Sequence, residues 1–322
     1  MITGLDSYYH RALERYGPAV VREMWGLSET THRHLHHVID AAGGAVQRQR
    51  CGSLLLAESE DEARDLEMAA RAMDADGIDL QFHARDPLRR GFHAAIEQAR
   101  DAAVQPFELV QALFRQSGAE LLPGNEVWRI GNGRGDRVRV YSRLHRFEAQ
   151  HVLVCTNAWS ATLLPHLARH VVPVRGQALV TAPLRQGPLL NTCGYSDYGY
   201  MYYRDTFDGR LLLGGGRRQN RWLEHNRLDE RISDPVQRTL EAWLHRRFPD
   251  VDAPVERRWA GVMGFTSDGL PLVGRLPGVD NAGFAVGFNG HGLSLGAGTA
   301  ERAVDLLLHD RHPGAVSAER LL

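Results

Sequence analysis

Residues 287–298 read GFNGHGLSLGAG. A Gly-His-Gly (Gly290, His291, Gly292) separates the apolar run Ala282 to Phe288 from the helix-like run Leu293 to Leu308. A strand feeding a glycine turn feeding a helix is an α/β unit. It presents unpaired backbone N–H groups and the positive end of the helix dipole outside the strand's carboxyl end, where anions or electron-rich rings bind. Glycines there could equally serve only a tight turn. The surrounding sequence therefore carries the decision.

Upstream, HVLVCT (151–156) is a continuous β-branched apolar run, as expected of a strand buried on both faces. QPFELVQALFRQSG (105–118) opens on a proline, is apolar at Leu109, Val110, Leu113 and Phe114, and stops at Gly118, which predicts a helix. CGSLLLAES (51–59) predicts a short strand, and Ser59 with Glu62 predicts a capping box for a helix through about Asp76, ended by Gly77. Residues 7–42 read as helix broken at Gly17-Pro18, and GNGRG (131–135) as a hairpin loop before RVRVYS.

From Val171 to Arg275 the pattern changes to strands joined by Gly, Asp-Gly and Pro turns, with one helix at about Asp234 to Arg247. Asp208-Gly209 predicts a hairpin, since both central residues must tolerate positive φ. This second region reads as a largely antiparallel sheet domain. The expected division is nested: residues 1–44, 103–170 and 276–322 in the α/β style, and 45–102 with 171–275 in the sheet domain.

At 322 residues the chain exceeds the usual size of one domain. Lys plus Arg (38) nearly balances Asp plus Glu (39), so global charge points to neither nucleic acid nor an anionic membrane, and a small-molecule partner is expected. Cys51, Cys155 and Cys193 are scattered and form no CxxC, which suits a reducing cytoplasm. The uncharged stretch Ala282 to Ala300 carries six glycines plus Asn289, His291 and Ser294, so no membrane span is expected. His32 with His36, and His34 with His37, have helical metal-ligand spacings, but nothing beside them completes a ligand set and no metal is expected.

AVQPFELVQAL, HVLVCTNAWS, VVPVRGQALVTAP, YYRDTFDGRLLLGGGR, RWAGVMGFTSDGLPLVGRLP and GFAVGFNGHGLSLGAGTAERAVDLLL occur in this order between 103 and 308. Six ordered blocks are far more specific than any one of them. Together they resemble the FAD-dependent amine and amino-acid oxidases of the D-amino-acid oxidase superfamily, closest in look to γ-glutamylputrescine oxidoreductase-like enzymes. The resemblance implies a glutathione-reductase-like Rossmann FAD domain with a nested mixed-sheet substrate domain. It also implies FAD as cofactor, hydride transfer from a C–N bond of an amine to the flavin, oxygen or another electron acceptor, and a place in putrescine catabolism.

Carried onto this sequence, the resemblance places Asn289, Gly290, His291, Gly292, Leu293 and Ser294 against the flavin ring. Val127 meets the adenine side by its backbone, and Thr156, Asn157, Ala158 and Trp159 pass beneath the cofactor, with Gly264 near them. Tyr202, Arg204 and Met263 fall on the substrate side, with Tyr200, Tyr203 and Arg217 near. Sheet-face packing is the alternative for the tyrosines, and surface pairing for Arg217. No catalytic acid or base is named.

Two departures stand out. The G-x-G-x-x-G phosphate turn of such domains has no match before Gly43, so Met1 reads as an internal methionine and the first βαβ unit as absent. A truncated start of an ordinary oxidase competes with a non-catalytic remnant or subunit with impaired FAD binding. The second departure is Met263, ahead of the T-x-D-G-x-P turn (Thr266 to Pro271), where relatives can hold a carboxylate-pairing arginine or a flavin-linked cysteine. Methionine there implies a non-covalent flavin and favours an amine, with Arg258 the nearby competitor and ordinary packing of Met263 the leading alternative.

Overall fold

A computed structural model describes residues 1–321; Leu322, at the end of the expected 276–322 segment, lies outside the described residues. Gly17, with φ +80°, separates α1 (Tyr9–Tyr16) from α2 (Pro18–Ala41), and Pro18 takes the first helical position, where its missing N–H has no partner to lose. β1 (Arg48–Gln49) and β2 (Ser53–Leu56) lead into α3 (Glu60–Ala75). The Ser59 side chain accepts from Glu62 N as expected. Glu62, however, reaches past the cap to accept from Glu58 N at 2.7 Å and from the Tyr8 hydroxyl at 2.6 Å, so it clamps α1 to α3 instead of closing a capping box.

β3 (Gln81–His83), β4 (Ala95–Gln98) and β5 (Ala103–Val104) precede α4 (Pro106–Ser117), which ends on left-handed Gly118. Of the expected apolar stripe of α4 only Leu109 is buried, joined by Ala112; Val110, Leu113 and Phe114 are exposed, together with Phe107. β6 (Val127–Asn132), β7 (Val138–Ser142) and β8 (Arg146–Ala149) form an antiparallel meander, with GNGRG in the β6–β7 turn. β9 (Val152–Val154) and α5 (Ser160–Leu163) follow.

β10 (Val171–Thr181), β11 (Cys193–Ser196), β12 (Met201–Asp205) and β13 (Leu211–Gly215) come next, then α6 (Arg221–Glu224), α7 (Asp234–Arg247) and β14 (Val255–Thr266). The β12–β13 hairpin forms, but through a five-residue loop closed by Thr206 and Arg210, with only Gly209 at positive φ, because Asp205 pairs Leu211. β15 (Leu272–Arg275), β16 (Ala282–Val286) and α8 (Gly292–His309) complete the chain.

The expected mixed α/β architecture is present. The largest sheet has the order β14-β10-β13-β12-β11-β2-β4-β3, drawing strands from two distant stretches of sequence, with β11 and β2 parallel. β15-β16-β9 form a second sheet, in which β16 and β9 are parallel. HVLVCT does not become a strand buried on both faces: Val152 and Leu153 are half-buried and β9 pairs on one side only, at the sheet edge.

One face of the large sheet packs on α7. Tyr203, Leu211, Leu213 and Leu179 meet Leu240, Trp243 and Phe248, with Tyr203 and Trp243 rings 4.8 Å apart. Each fully buried side chain of this size contributes about 1.5–3 kcal/mol. The opposite face carries Tyr195, Tyr202, Gly176, Gly261 and Met263 by register. This glycine-and-tyrosine face turns toward the Gly-His-Gly turn.

Candidate cofactor and substrate site

The turn after β16 is built by two asparagines in the left-handed region, Asn289 at φ +53° and Asn157 at φ +43°, a conformation asparagine tolerates better than most residues. Asn289 is buried; its Oδ1 accepts from Thr266 N at 2.8 Å, and its amide donates to Gly287 O at 2.7 Å. Its backbone N–H donates to Gly264 O at 2.9 Å. Asn157 Oδ1 accepts from Gly287 N at 2.9 Å. Gly264 is glycine because a Cβ there would stand 2.6 Å from that same oxygen and 3.1 Å from Ala158 N. The ends of β9, β14 and β16 are thus tied together by two side-chain amides, and the roles of Asn157, Asn289 and Gly264 are to hold the turn.

That turn leaves room in front of it. His291 is the N-cap of α8 but gives the helix no side-chain hydrogen bond, so the first-turn amides have no side-chain cap. A Cβ on Gly292 would meet nothing closer than Phe288 Cβ at 4.0 Å, and one on Gly290 only Met263 Sδ at 3.5 Å. Leu293 is partly exposed beside them, and Ser294 turns inward to donate to Ile2 O. An uncapped helix start with bare backbone and positive potential suits a flat, electron-accepting ring or an anion.

The sheet face opposite supplies the other wall. Met263 lies against Gly176, where a Cβ would come 2.7 Å from its Cε, and the same methionine reaches Gly290, so the structure brings Met263 to the turn. Tyr202 lies across Gly214, and its ring centroid is 6.2 Å from that of Tyr195, which stacks on His291 at 6.4 Å and 20°. Burial pushes both phenols above their usual pKa range, keeping them protonated as donors. Asp6 Oδ1 stands 4.0 Å from His291 Nδ1, at the edge of a cleft of about 190 Å³ shared with Tyr8 and Tyr195.

Two arginines border this region without an acidic partner among the described residues. Arg217 rests over the rings of Tyr200 and Phe265, at 4.9 and 5.3 Å, and lines a cavity of about 390 Å³ with Val172, Val174 and Arg221. Its charge reaches Asp6, Tyr195 and Tyr202. Arg204 stands across from Cys193 with a buried, unpartnered Nη1. Arg258 leaves the site: its guanidinium pairs with Glu241 and donates to Gln237 Oε1 on the α7 side. Tyr203 also points to that side and packs in the core.

Other expected residues lie less centrally. Thr156 and Trp159 belong to the short turn after β9, where Thr156 Oγ1 sits 3.1 Å from Ser160 Oγ; Trp159 is exposed and Ala158 buried. Val127 opens β6, on the separate meander sheet. Sequence reasoning missed Asp6 and Tyr195. Tyr195 alternates with Cys193 on β11 and could have been found from that period; Asp6 gave no signal.

Residues 1–306 match the family model described as DAO, FAD dependent oxidoreductase. The chain belongs to the DAO family of FAD-dependent oxidoreductases. FAD, the cofactor the sequence implied, is the cofactor of this family. A glycine oxidase of Bacillus licheniformis is 27% identical over 278 residues, covering 84% of this chain and 72% of that protein. A probable oxidoreductase OrdL of Rhizobium meliloti is 29% identical over 217 residues, covering 63% of this chain and 47% of that one. Among solved structures of this DAO-like fold, a glycine oxidase from Geobacillus kaustophilus superposes with a TM-score of 0.75 at 22% identity, covering 91% of this chain and 80% of its own. An L-proline dehydrogenase from P. horikoshii reaches 0.76 at 20% identity, covering 90% and 80%. Among the described residues no helix is long and apolar enough to cross a membrane, and no three His, Cys, Asp or Glu converge as metal ligands.

Proposed function

We propose that this DAO-family chain oxidises the C–N bond of a small amino acid or amine at the space between the Gly290–Gly292 turn and the Tyr195–Tyr202 sheet face. FAD, when bound, supplies the chemistry by accepting a hydride from the carbon beside the nitrogen. The observation that carries the reading is the joint placement of an uncapped α8 start, Met263 against Gly290, and two half-buried tyrosines facing the same opening. Residues 1–44, 103–170 and 276–322 hold the cofactor, and 45–102 with 171–275 shape the substrate side.

The first-turn amides of α8 stabilise negative charge on the reduced ring. Tyr195 and Tyr202 offer neutral phenol donors and exclude water from the reacting carbon. Arg217 meets a carboxylate on the substrate, the task Met263 cannot perform, while the apolar wall of Val172 and Val174 takes its carbon chain. The glycine oxidases among the relatives support a small amino acid; γ-glutamylputrescine, with an amine at one end and a carboxylate at the other, is the larger substrate the same arginine would accept. The product imine hydrolyses in water to a carbonyl compound and an amine or ammonia.

The test is anaerobic bleaching of the FAD-loaded protein by glycine, sarcosine and γ-glutamylputrescine, followed by the same series on Arg217→Met. One of the three bleaches the flavin, and the variant needs at least tenfold more of it, the cost of about 1.4 kcal/mol in a lost ion pair. A flavin that none of them bleaches overturns the reading.

A further inference from the structure

Cys51 and Cys193 are far apart in sequence, yet their sulfurs lie 3.9 Å apart. Cys193 opens β11 and is buried, while Cys51 is half-buried in the irregular lead-in to β2. Since β2 and β11 run parallel, with Ser53 opposite Cys193, the two thiols meet across the ladder at its leading end. Cys51 itself lies between β1 and β2, and the chain turns at Gly52, φ +66°, whose N–H donates to Asp101 O at 3.1 Å and whose carbonyl accepts from Cys193 N at 3.4 Å. The gap to a sulfur–sulfur bond of about 2.05 Å is within the reach of Cys51.

The surroundings help the resolving sulfur, that of Cys193, lose its proton. Arg204 stands directly opposite Cys193 on β12, with its Nη1 buried and unpartnered and no carboxylate paired with it among the described residues. A cation without a counter-ion beside a thiol lowers the cost of the sulfur's negative charge.

We propose that Cys51 and Cys193 form a peroxide-reactive dithiol, with Cys51 the attacking sulfur and Cys193 the resolving one. The Cys51 thiolate attacks the terminal oxygen of a hydroperoxide; the S–O bond forms, the O–O bond breaks, and the leaving oxygen takes a proton and departs as an alcohol, or as water when the oxidant is hydrogen peroxide. Cys51 is oxidised to the sulfenic acid and the peroxide is reduced by the same electron pair. Cys193 then loses its proton and attacks Cys51, the S–S bond forms, and the hydroxyl leaves as water. The hydrogen bond from the Cys193 thiol holds Cys51 down at about 6, and the same bond with burial pushes Cys193 up, which fits this division of labour. The inference does not rest on the proposed oxidation: any hydroperoxide serves, although an enzyme returning electrons to oxygen would make the oxidant itself.

The experiment uses the FAD-loaded protein carrying Cys155→Ser, exposed to hydrogen peroxide. Intact mass falls by two hydrogens, both remaining thiols disappear together, dithiothreitol restores them, and peptide mapping finds Cys51 joined to Cys193 within one chain. In a Cys193→Ser variant, dimedone traps the sulfenic acid on Cys51. Arg204→Met slows closure of the disulfide by Cys193 by on the order of tenfold. Addition of oxygen atoms to Cys51 with the Cys193 thiol intact overturns the pairing, as does a bond between two chains, and an unchanged rate in Arg204→Met overturns the arginine's part.

Discussion

The ring of Tyr202 lies across Gly214 of the neighbouring strand, in the volume a Cβ would occupy. Tyr203, one residue on, does the same to Gly194 on the opposite face. Each glycine lets an aromatic ring lie flat on the sheet, so β12 sends one tyrosine into the core and its neighbour over the candidate site. Gly214→Ala is expected to lift Tyr202 off the sheet, at a stability cost of about 1–3 kcal/mol. Substrate affinity should fall more than flavin affinity, and equal loss of both would contradict the placement of Tyr202 on the substrate side.

Gly292→Val probes the turn itself. A Cβ there meets nothing closer than Phe288 Cβ at 4.0 Å, and a branched side chain fills the space before α8, so the melting temperature of the FAD-free protein should stay within a few degrees while the bound-flavin absorbance is lost. A variant that keeps its flavin would place the ring elsewhere.

On the far side of the sheet, Arg175 donates to Glu224 at 2.6 Å and to Asp229 at 2.6 Å, and Gln177 donates to Glu224 at 2.9 Å. Glu224 is fully buried. Glu224→Ala leaves the Gln177 amide without this acceptor and the buried guanidinium with Asp229 alone, and urea denaturation should show a loss toward the lower end of about 3–5 kcal/mol. Glu224→Gln keeps an acceptor and should lose less.

His32 is buried against Thr3, Nδ1 to Oγ1 3.3 Å, with His36 6.5 Å away, and its Nε2 has no partner. Burial lowers its pKa to about 4. The neutral ring is the folded form, so its contribution is complete above the unfolded value of about 6.5 and drains away as pH falls toward 4, because only the unfolded chain takes up the proton there. The loss is on the order of 3 kcal/mol. His32→Gln should flatten the stability profile between these two values; an unchanged acid limb would show that other groups set it.

Local signals carried much of the fold. Gly17-Pro18, Ser59, Gly118 and the Asp234 helix mark their elements because each acts through its own backbone. The pairing of β2 with β11 was invisible, since register between distant strands is decided by which faces are buried together. The same limit applies to the site. Gly290 and Gly292 announce a bare turn by residue type, whereas Asn157 acts through a bond to Gly287 that no local pattern encodes, and Arg217 is distinguished only by the carboxylate it lacks. Arg258 and Met263, five residues apart on β14, reach opposite faces because side chains alternate, which is why only the methionine arrives at the turn.

The parallel pairing of β2 and β11 also bears on biosynthesis. Ser53 leaves the ribosome about 140 residues ahead of Cys193, its ladder partner. At about 5–20 residues per second, Leu54, Leu55 and Leu56 wait about seven to thirty seconds with one hydrogen-bonding edge bare. β4 can cover the other edge early, since Leu55 pairs Ile96. The nascent chain thus carries a half-finished sheet through somewhat less than half of its translation, and a trigger for chaperone engagement would be sought first at that leucine edge.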